Sequence, residues 1–188
     1  MRIARERVTV RPCATSANLG PGFDSLALAL ELRDRYTLEV TTRETEVTIR
    51  GEGADDLPTD DTNLIVRTLR ESLEWVGAPQ IGVRLTCTNV IPQGAGLGSS
   101  AAAIVGGIAL ARAIIQEPNA LDERAMLEIA TSIEGHPDSV APAIYGGACL
   151  AYTEGEEVRA VRLRVANAAD GRPVLRPLIM CPNRTLST

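Results

Sequence analysis

Residues 92–103 read PQGAGLGSSAAA, with glycine at every second position from Gly94 to Gly98, then two serines, then alanines. Glycine serves backbone that turns left-handed or lies close against another group, and alanine favours helix. The switch therefore predicts a tight loop feeding a helix that begins at Ser99. The first turn of such a helix has unpaired N–H groups and the positive end of the helix dipole, which together bind anions, most often phosphate. Two other readings compete. A dinucleotide fingerprint would need glycine or alanine where Ser99 stands, and an acidic residue at a strand end about 20 positions on, where this chain has Glu117 in a QEPN turn. A structural turn onto a buried helix would need no ligand.

Two more polar stretches carry reactive side chains. ATSANLGPGFD (14–24) holds Asn18, a GPG turn and Asp24, and EGHPDSVAPA (134–143) holds Glu134, the sole histidine His136, and Asp138 ahead of a short helix. Each alone could be a turn whose Asn or Asp caps its own backbone. Three such segments in one small domain point instead to a shared polar site.

Composition removes several chemistries. All 19 basic residues are arginine, so a Walker-A lysine, a Schiff base and a lysine general base are excluded. With 24 acidic residues and a net charge of −5, the balance argues against a dominant basic surface, and no nucleic-acid partner is expected. Cys13, Cys87, Cys149 and Cys181 form no CxxC pair, and one histidine cannot supply a zinc cluster, so reduced thiols in a cytoplasmic protein are expected. The opening MRIARERVTV lacks the apolar core of a signal peptide, and the run Ala101–Ala111 is too short to span a bilayer, so no membrane partner is expected.

The elements that must position these residues follow from periodicity. IARERVTVR (3–11) alternates as a half-buried strand, and PCATSANLGPGFDS is a loop by composition. RYTLEVTT (35–42) and EVTIRG (46–51) read as a hairpin, and a helix over about 63–76 follows, capped by Asp61 or Thr62. A strand at 81–90 leads into the glycine loop. The helix from Ser99 to about Ile115 is apolar nearly all round, which places it in the core with its N-terminus at the ligand. LDERAMLEIATSIEG (121–135) is amphipathic with Asp122 as cap, and GACLAYT, VRAVRLRV and VLRPLIMC complete a β-rich tail. Without strict βαβ alternation the class is α+β.

IPQGAGLGSSAA resembles the phosphate loop of the GHMP small-molecule kinases, Pro-x-x-x-Gly-Leu-Gly-Ser-Ser-Ala. ATSANLGPGFDSLALAL and EGHPDSVAPAIYGG resemble the two other segments that mark the homoserine kinase family, and the three occur in the family's order over nearly the whole chain. The resemblance implies an α+β N-terminal domain with a left-handed βαβ crossover, an uncommon hand. It implies transfer of the γ-phosphoryl group of ATP to the side-chain hydroxyl of L-homoserine, on the route to threonine, with ATP and Mg2+ as cofactors. It also allows a homodimer, for which the residues themselves give no sign.

By match to the family, Asn63, Pro92, Gly94, Ala95, Gly96, Leu97, Gly98, Ser99 and Ser100 hold the nucleotide, and Ser100 and Glu134 hold Mg2+. Asn18, Asp24, His136 and Ser139 bind the acceptor, with Asn18 and Ser139 nearest the reacting hydroxyl and assigned to catalysis. These residue types suit an amino-acid acceptor, whose ammonium wants a carboxylate and whose hydroxyl wants a neutral hydrogen-bond partner. No residue is a catalytic base. Phosphoryl transfer needs positioning and charge neutralisation, and the resemblance implies that the hydroxyl passes its proton towards phosphate.

The chain departs from the family at Ser139, where Asn is usual, and at Ala27, where Gly is usual. Relatives carry a second α+β domain with the arginines that meet the acceptor's carboxylate. The expectation is therefore an ATP-binding domain over 1–172, with 173–188 as the first strand of a truncated second domain and with weak or no turnover. A non-catalytic nucleotide-binding module, or a kinase of another small alcohol such as mevalonate, remains the alternative.

Overall fold

The computed structural model describes residues 1–165, 174 and 177–180. Two four-stranded sheets pack with a helical layer. The first is built from β1 (Arg7–Val10), β4 (Arg35–Thr41), β5 (Glu46–Gly51) and β6 (Gly82–Asn89), in the order β1-β4-β6-β5. The second contains β2 (Cys13–Ala17), β3 (Leu26–Arg33), β7 (Ala148–Glu154) and β8 (Glu157–Leu163), in sequence order. The helices are α1 (Leu64–Trp75), α2 (Ser99–Ile114), α3 (Glu123–Glu134) and α4 (Val140–Tyr145).

Strand alternation fixes the core face of β6: Val83, Leu85, Cys87 and Asn89 turn inward while Arg84 and Thr88 face out. α2 lies at the centre and packs on α1, α3, α4, β1 and β2, as its apolar circumference requires. Glycine permits the close approach. A Cβ on Gly106 would lie 2.5 Å from the Tyr36 ring, and one on Gly107 would lie 2.8 Å from the Ile65 carbonyl oxygen on α1.

The α+β class stands, with several local corrections. The runs 35–42 and 46–51 are strands but not a hairpin, because β6 lies between them, antiparallel to β4 and parallel to β5 through α1. Alternation identifies a strand but not its partner, and β6 satisfies both edges at once. Residues 13–17, expected as loop, form β2, since backbone pairing with β3 outweighs the polar composition. The expected strand 3–11 narrows to β1, with Ile3 making only an isolated bridge to Ile115. The cap of α1 is Asn63, whose Oδ1 accepts the Ile65 N–H, rather than Asp61 or Thr62. Asp122 caps α3 as expected. Of the strand expected in VLRPLIMC, residues 174 and 177–180 lie in no strand and the rest falls outside the described residues.

Candidate functional site

Gly94, Gly96 and Gly98 all take left-handed backbone, with φ of 63°, 69° and 65°, as their spacing requires. Gly98 is the N-cap of α2 and offers no side chain to its first turn, which also contains no acidic residue. The amides of that turn therefore face outward without an internal partner, the arrangement that receives phosphate. Leu97 is buried beneath the loop, whereas Gln93, Gly94, Gly96 and Ser100 are exposed. β2 supports the loop from below: the Thr15 N–H donates to the Leu97 carbonyl at 3.0 Å.

Ser99 and Ser100 also form one wall of a cleft of about 370 Å³, whose other walls include Leu57, Asn63, Arg67 and Ile49, with Tyr36 and Cys87 beneath. It is mostly apolar with a few polar groups, as suits a planar base and its sugar. Asn63 is 4% exposed and fully engaged. It caps α1 through Oδ1 and donates from Nδ2 to the Pro58 carbonyl at 2.7 Å, so it builds this wall as well as lining it. Burial, reinforced by the Asp34 charge, pushes the Cys87 thiol up to about 12. Burial and the same carboxylate raise the Tyr36 phenol as well. Both groups are neutral at physiological pH.

The Ser100 hydroxyl lies 2.6 Å from Glu134 Oε2. A hydroxyl and a carboxylate are hard oxygen donors, and among the described residues no group of three or more His, Cys, Asp or Glu forms a metal cage. That pair fits Mg2+, which keeps several waters and takes few protein ligands beside phosphate oxygens.

The remaining candidates fall into two loops. Asn18 and Asp24 both have positive φ, 69° and 51°, and the Asp24 N–H donates to Asn18 Oδ1 at 2.9 Å. Asn18 thus shapes the turn and leaves the exposed Asp24 carboxylate free of hydrogen bonds from the described residues. In the other loop Asp138 is 2% exposed, and its Oδ1 meets His136 Nδ1 at 2.5 Å and the Ser139 N–H at 2.6 Å. Ser139 Oγ is buried without a hydrogen-bond partner among the described residues. Ala27, the other departure, is fully buried in β3.

β2 connects these parts. It runs into Asn18, touches the loop at Leu97, and receives α4, which begins one residue after Ser139. No hydrogen bond among the described residues joins the Asn18–Asp24 turn to the His136–Ser139 turn. Sequence reasoning missed Thr15, Asp34 and Tyr36. Asp34 was visible as an acidic residue between two arginines in LELRDRY, but nothing in that run gave its partners.

Residues 63–147 match the family model described as GHMP kinases N terminal domain. The homoserine kinase of Streptomyces avermitilis is 43% identical over 182 residues, which is 96% of this chain and 58% of that protein. The crystal structure of homoserine kinase from Cytophaga hutchinsonii superposes with a TM-score of 0.72 at 29% identity, over 86% of this chain and 53% of that one. A mevalonate kinase from Methanococcus jannaschii shares the fold alone, with a TM-score of 0.61 at 14% identity over 84% of this chain and 56% of that one. The chain thus spans little more than half the length of the curated relatives it matches.

Proposed function

Because the chain belongs to the GHMP kinases, we propose that it binds Mg-ATP and serves transfer of the γ-phosphoryl group to the side-chain hydroxyl of L-homoserine. The observation that carries this reading is the left-handed glycine loop at the N-terminus of α2 with Ser100 against Glu134. Identity to proteins named homoserine kinase, and the three marked loops, favour this acceptor over mevalonate.

In this reading residues Asn63, Pro92, Gly94, Ala95, Gly96, Leu97, Gly98, Ser99 and Ser100 hold the nucleotide. The backbone N–H groups from Gly94 to Ser100 bind the phosphates without any lysine. Ser100 and Glu134 hold Mg2+, which when bound neutralises phosphate charge. Asp24 pairs with the acceptor's ammonium, the Asn18 amide fixes the turn that presents it, and His136 and Ser139 border the hydroxyl. The hydroxyl oxygen forms a bond to the γ-phosphorus as the bond from that phosphorus to the bridging oxygen breaks. ADP leaves, and the hydroxyl proton goes to phosphate. Alignment and charge compensation, rather than a protein base, supply the rate.

We place the product, O-phospho-L-homoserine, on the route to threonine, and the protein in the cytoplasm, with a homodimer allowed. Among the described residues no helix is long and apolar enough to cross a membrane. The division at 172/173 into an ATP-binding domain and the start of a second domain belongs to the same proposal.

The test is ADP release from Mg-ATP with L-homoserine, with mevalonate and with no acceptor, for the chain alone and for a protein extended to its relatives' length. Release stimulated by homoserine alone supports the assignment. Nucleotide binding without any acceptor-dependent release in either protein leaves a non-catalytic nucleotide module, with Ser139 as the first position to restore to Asn.

A further inference from the structure

Asp34 is a buried carboxylate to which the mechanism above gives no part. It lies between β3 and β4 and is 1% exposed. Its Oδ1 accepts the N–H groups of Val90 and Ile91 at 2.7 and 3.0 Å, and its Oδ2 accepts the Tyr36 hydroxyl at 2.9 Å. Its own N–H donates to the Pro12 carbonyl at 3.1 Å. No arginine forms an ion pair with it among the described residues. An unpaired buried charge is expensive, and a neutral acceptor would satisfy the same donors at less cost.

The position of those donors is informative. Val90 and Ile91 are the two residues between the end of β6 and Pro92, where the glycine loop starts. At the far end of the loop, the Thr15 N–H holds the Leu97 carbonyl, and the Thr15 side chain fills the space beside Gly98, where an added Cβ would meet its hydroxyl. Between these points, no hydrogen bond from the described residues reaches Pro92–Gly96. The loop is a short span fixed at two ends. Charge-assisted bonds are roughly twice as strong as neutral ones, so the carboxylate gives the entry a stiffness that a neutral acceptor would not.

We propose that Asp34 is a positioning residue for the phosphate loop: it fixes the loop's entry, as Thr15 fixes its exit, so that Gly94–Gly98 meets the nucleotide phosphates in one geometry. This rests on the nucleotide reading above. The base and sugar would occupy the cleft beside Asn63, whose floor includes Tyr36, so Tyr36→Phe, which cuts the bond to Oδ2 and leaves the two loop-entry amides in place, separates any effect carried through the cleft from the effect on phosphate.

Calorimetric titration of the chain with Mg-ATP, Mg-ADP and adenosine tests this. In Asp34→Ala the dissociation constants for Mg-ATP and Mg-ADP rise by about tenfold or more while that for adenosine rises no more than it does in Tyr36→Phe, and Asp34→Asn, which keeps one oxygen acceptor, restores most of the loss. If Asp34→Ala does not fold, Asp34→Asn is read alone, with an expected weakening of roughly threefold for the phosphates only. A merely structural role would weaken all three ligands alike or none, and either result overturns the proposal while leaving nucleotide binding intact. Absence of Mg-ATP binding by the unaltered chain overturns the nucleotide reading and this inference with it.

Discussion

The Ser100 hydroxyl donates to a Glu134 carboxylate oxygen across 2.6 Å, tying the first turn of α2 to the last residue of α3. Two helices that belong to different parts of the sequence thereby share one oxygen-rich point at the mouth of the glycine loop. Glu134→Gln keeps the shape and the hydrogen bond but removes the charge. The ratio of ATP affinity with and without Mg2+ should fall by about tenfold, the size of one charge-assisted contact. Titration of both forms by fluorescence or calorimetry checks it, and an unchanged ratio would remove Glu134 from the proposed Mg2+ ligands.

Asp24 has φ of 51°, in the left-handed region that Asn and Asp tolerate and Ala does not. Asp24→Asn is therefore the informative change, since it removes the charge without straining the turn held by Asn18. In the extended protein the KM for homoserine should rise by about tenfold with the KM for ATP unaltered. Equal rises in both would indicate collapse of the turn rather than loss of an ammonium partner.

Gly98→Ala meets two obstacles at once, a left-handed φ of 65° and a Cβ that would collide with Thr15 Oγ1. Destabilisation of about 2–3 kcal/mol is expected in urea unfolding, of which about 1 kcal/mol is backbone strain. Thr15→Ala opens the space, so the double variant should be less destabilised than the sum of the single ones. Simple additivity would show that the two residues do not share that space.

Cys13, Cys87 and Cys149 are buried, and burial raises all three thiols, Cys87 to about 12. In the folded chain at pH 8 these three should resist iodoacetamide, as followed by peptide mass spectrometry, and react promptly in denaturant. The same shifts fix a sign. Unfolded thiols ionise from about pH 9, whereas folded ones stay neutral, so stability falls as pH rises from there towards 12. A flat unfolding midpoint from about pH 8 to about pH 11 would contradict the burial of these groups.

Much of the site was legible because its chemistry is written in backbone requirements. Alternate glycines before Ser99 demand left-handed turns and a helix start, and the chain has no cheaper way to use them. The helix ends at Asp122 and near residue 134 were equally readable from local capping and amphipathic spacing. What escaped was pairing. Nothing in RYTLEVTT or EVTIRG states that the later strand β6 will separate them, and nothing in PCATSA states that β3 will recruit it into a sheet. Asp34 was hidden for the same reason, since its partners are backbone amides distant in sequence. Asn63 was legible from the resemblance as a candidate nucleotide contact and from its type as a helix-start Asn, but Asp61 and Thr62 are equally good capping types and only the backbone angles choose between the three.

β6 is an interior strand, bonded on both sides, and the glycine loop is its direct continuation. An edge strand can peel away and take its loop with it, whereas β6 is released only when the sheet opens. Loss of the loop and loss of the fold are then one cooperative event. In the proposed function a nucleotide seated there would act as a rivet for the whole domain: at a hundred times its dissociation constant it would add about 2.7 kcal/mol to global stability. On that reading, added Mg-ATP would slow proteolysis that proceeds through global unfolding along the entire domain.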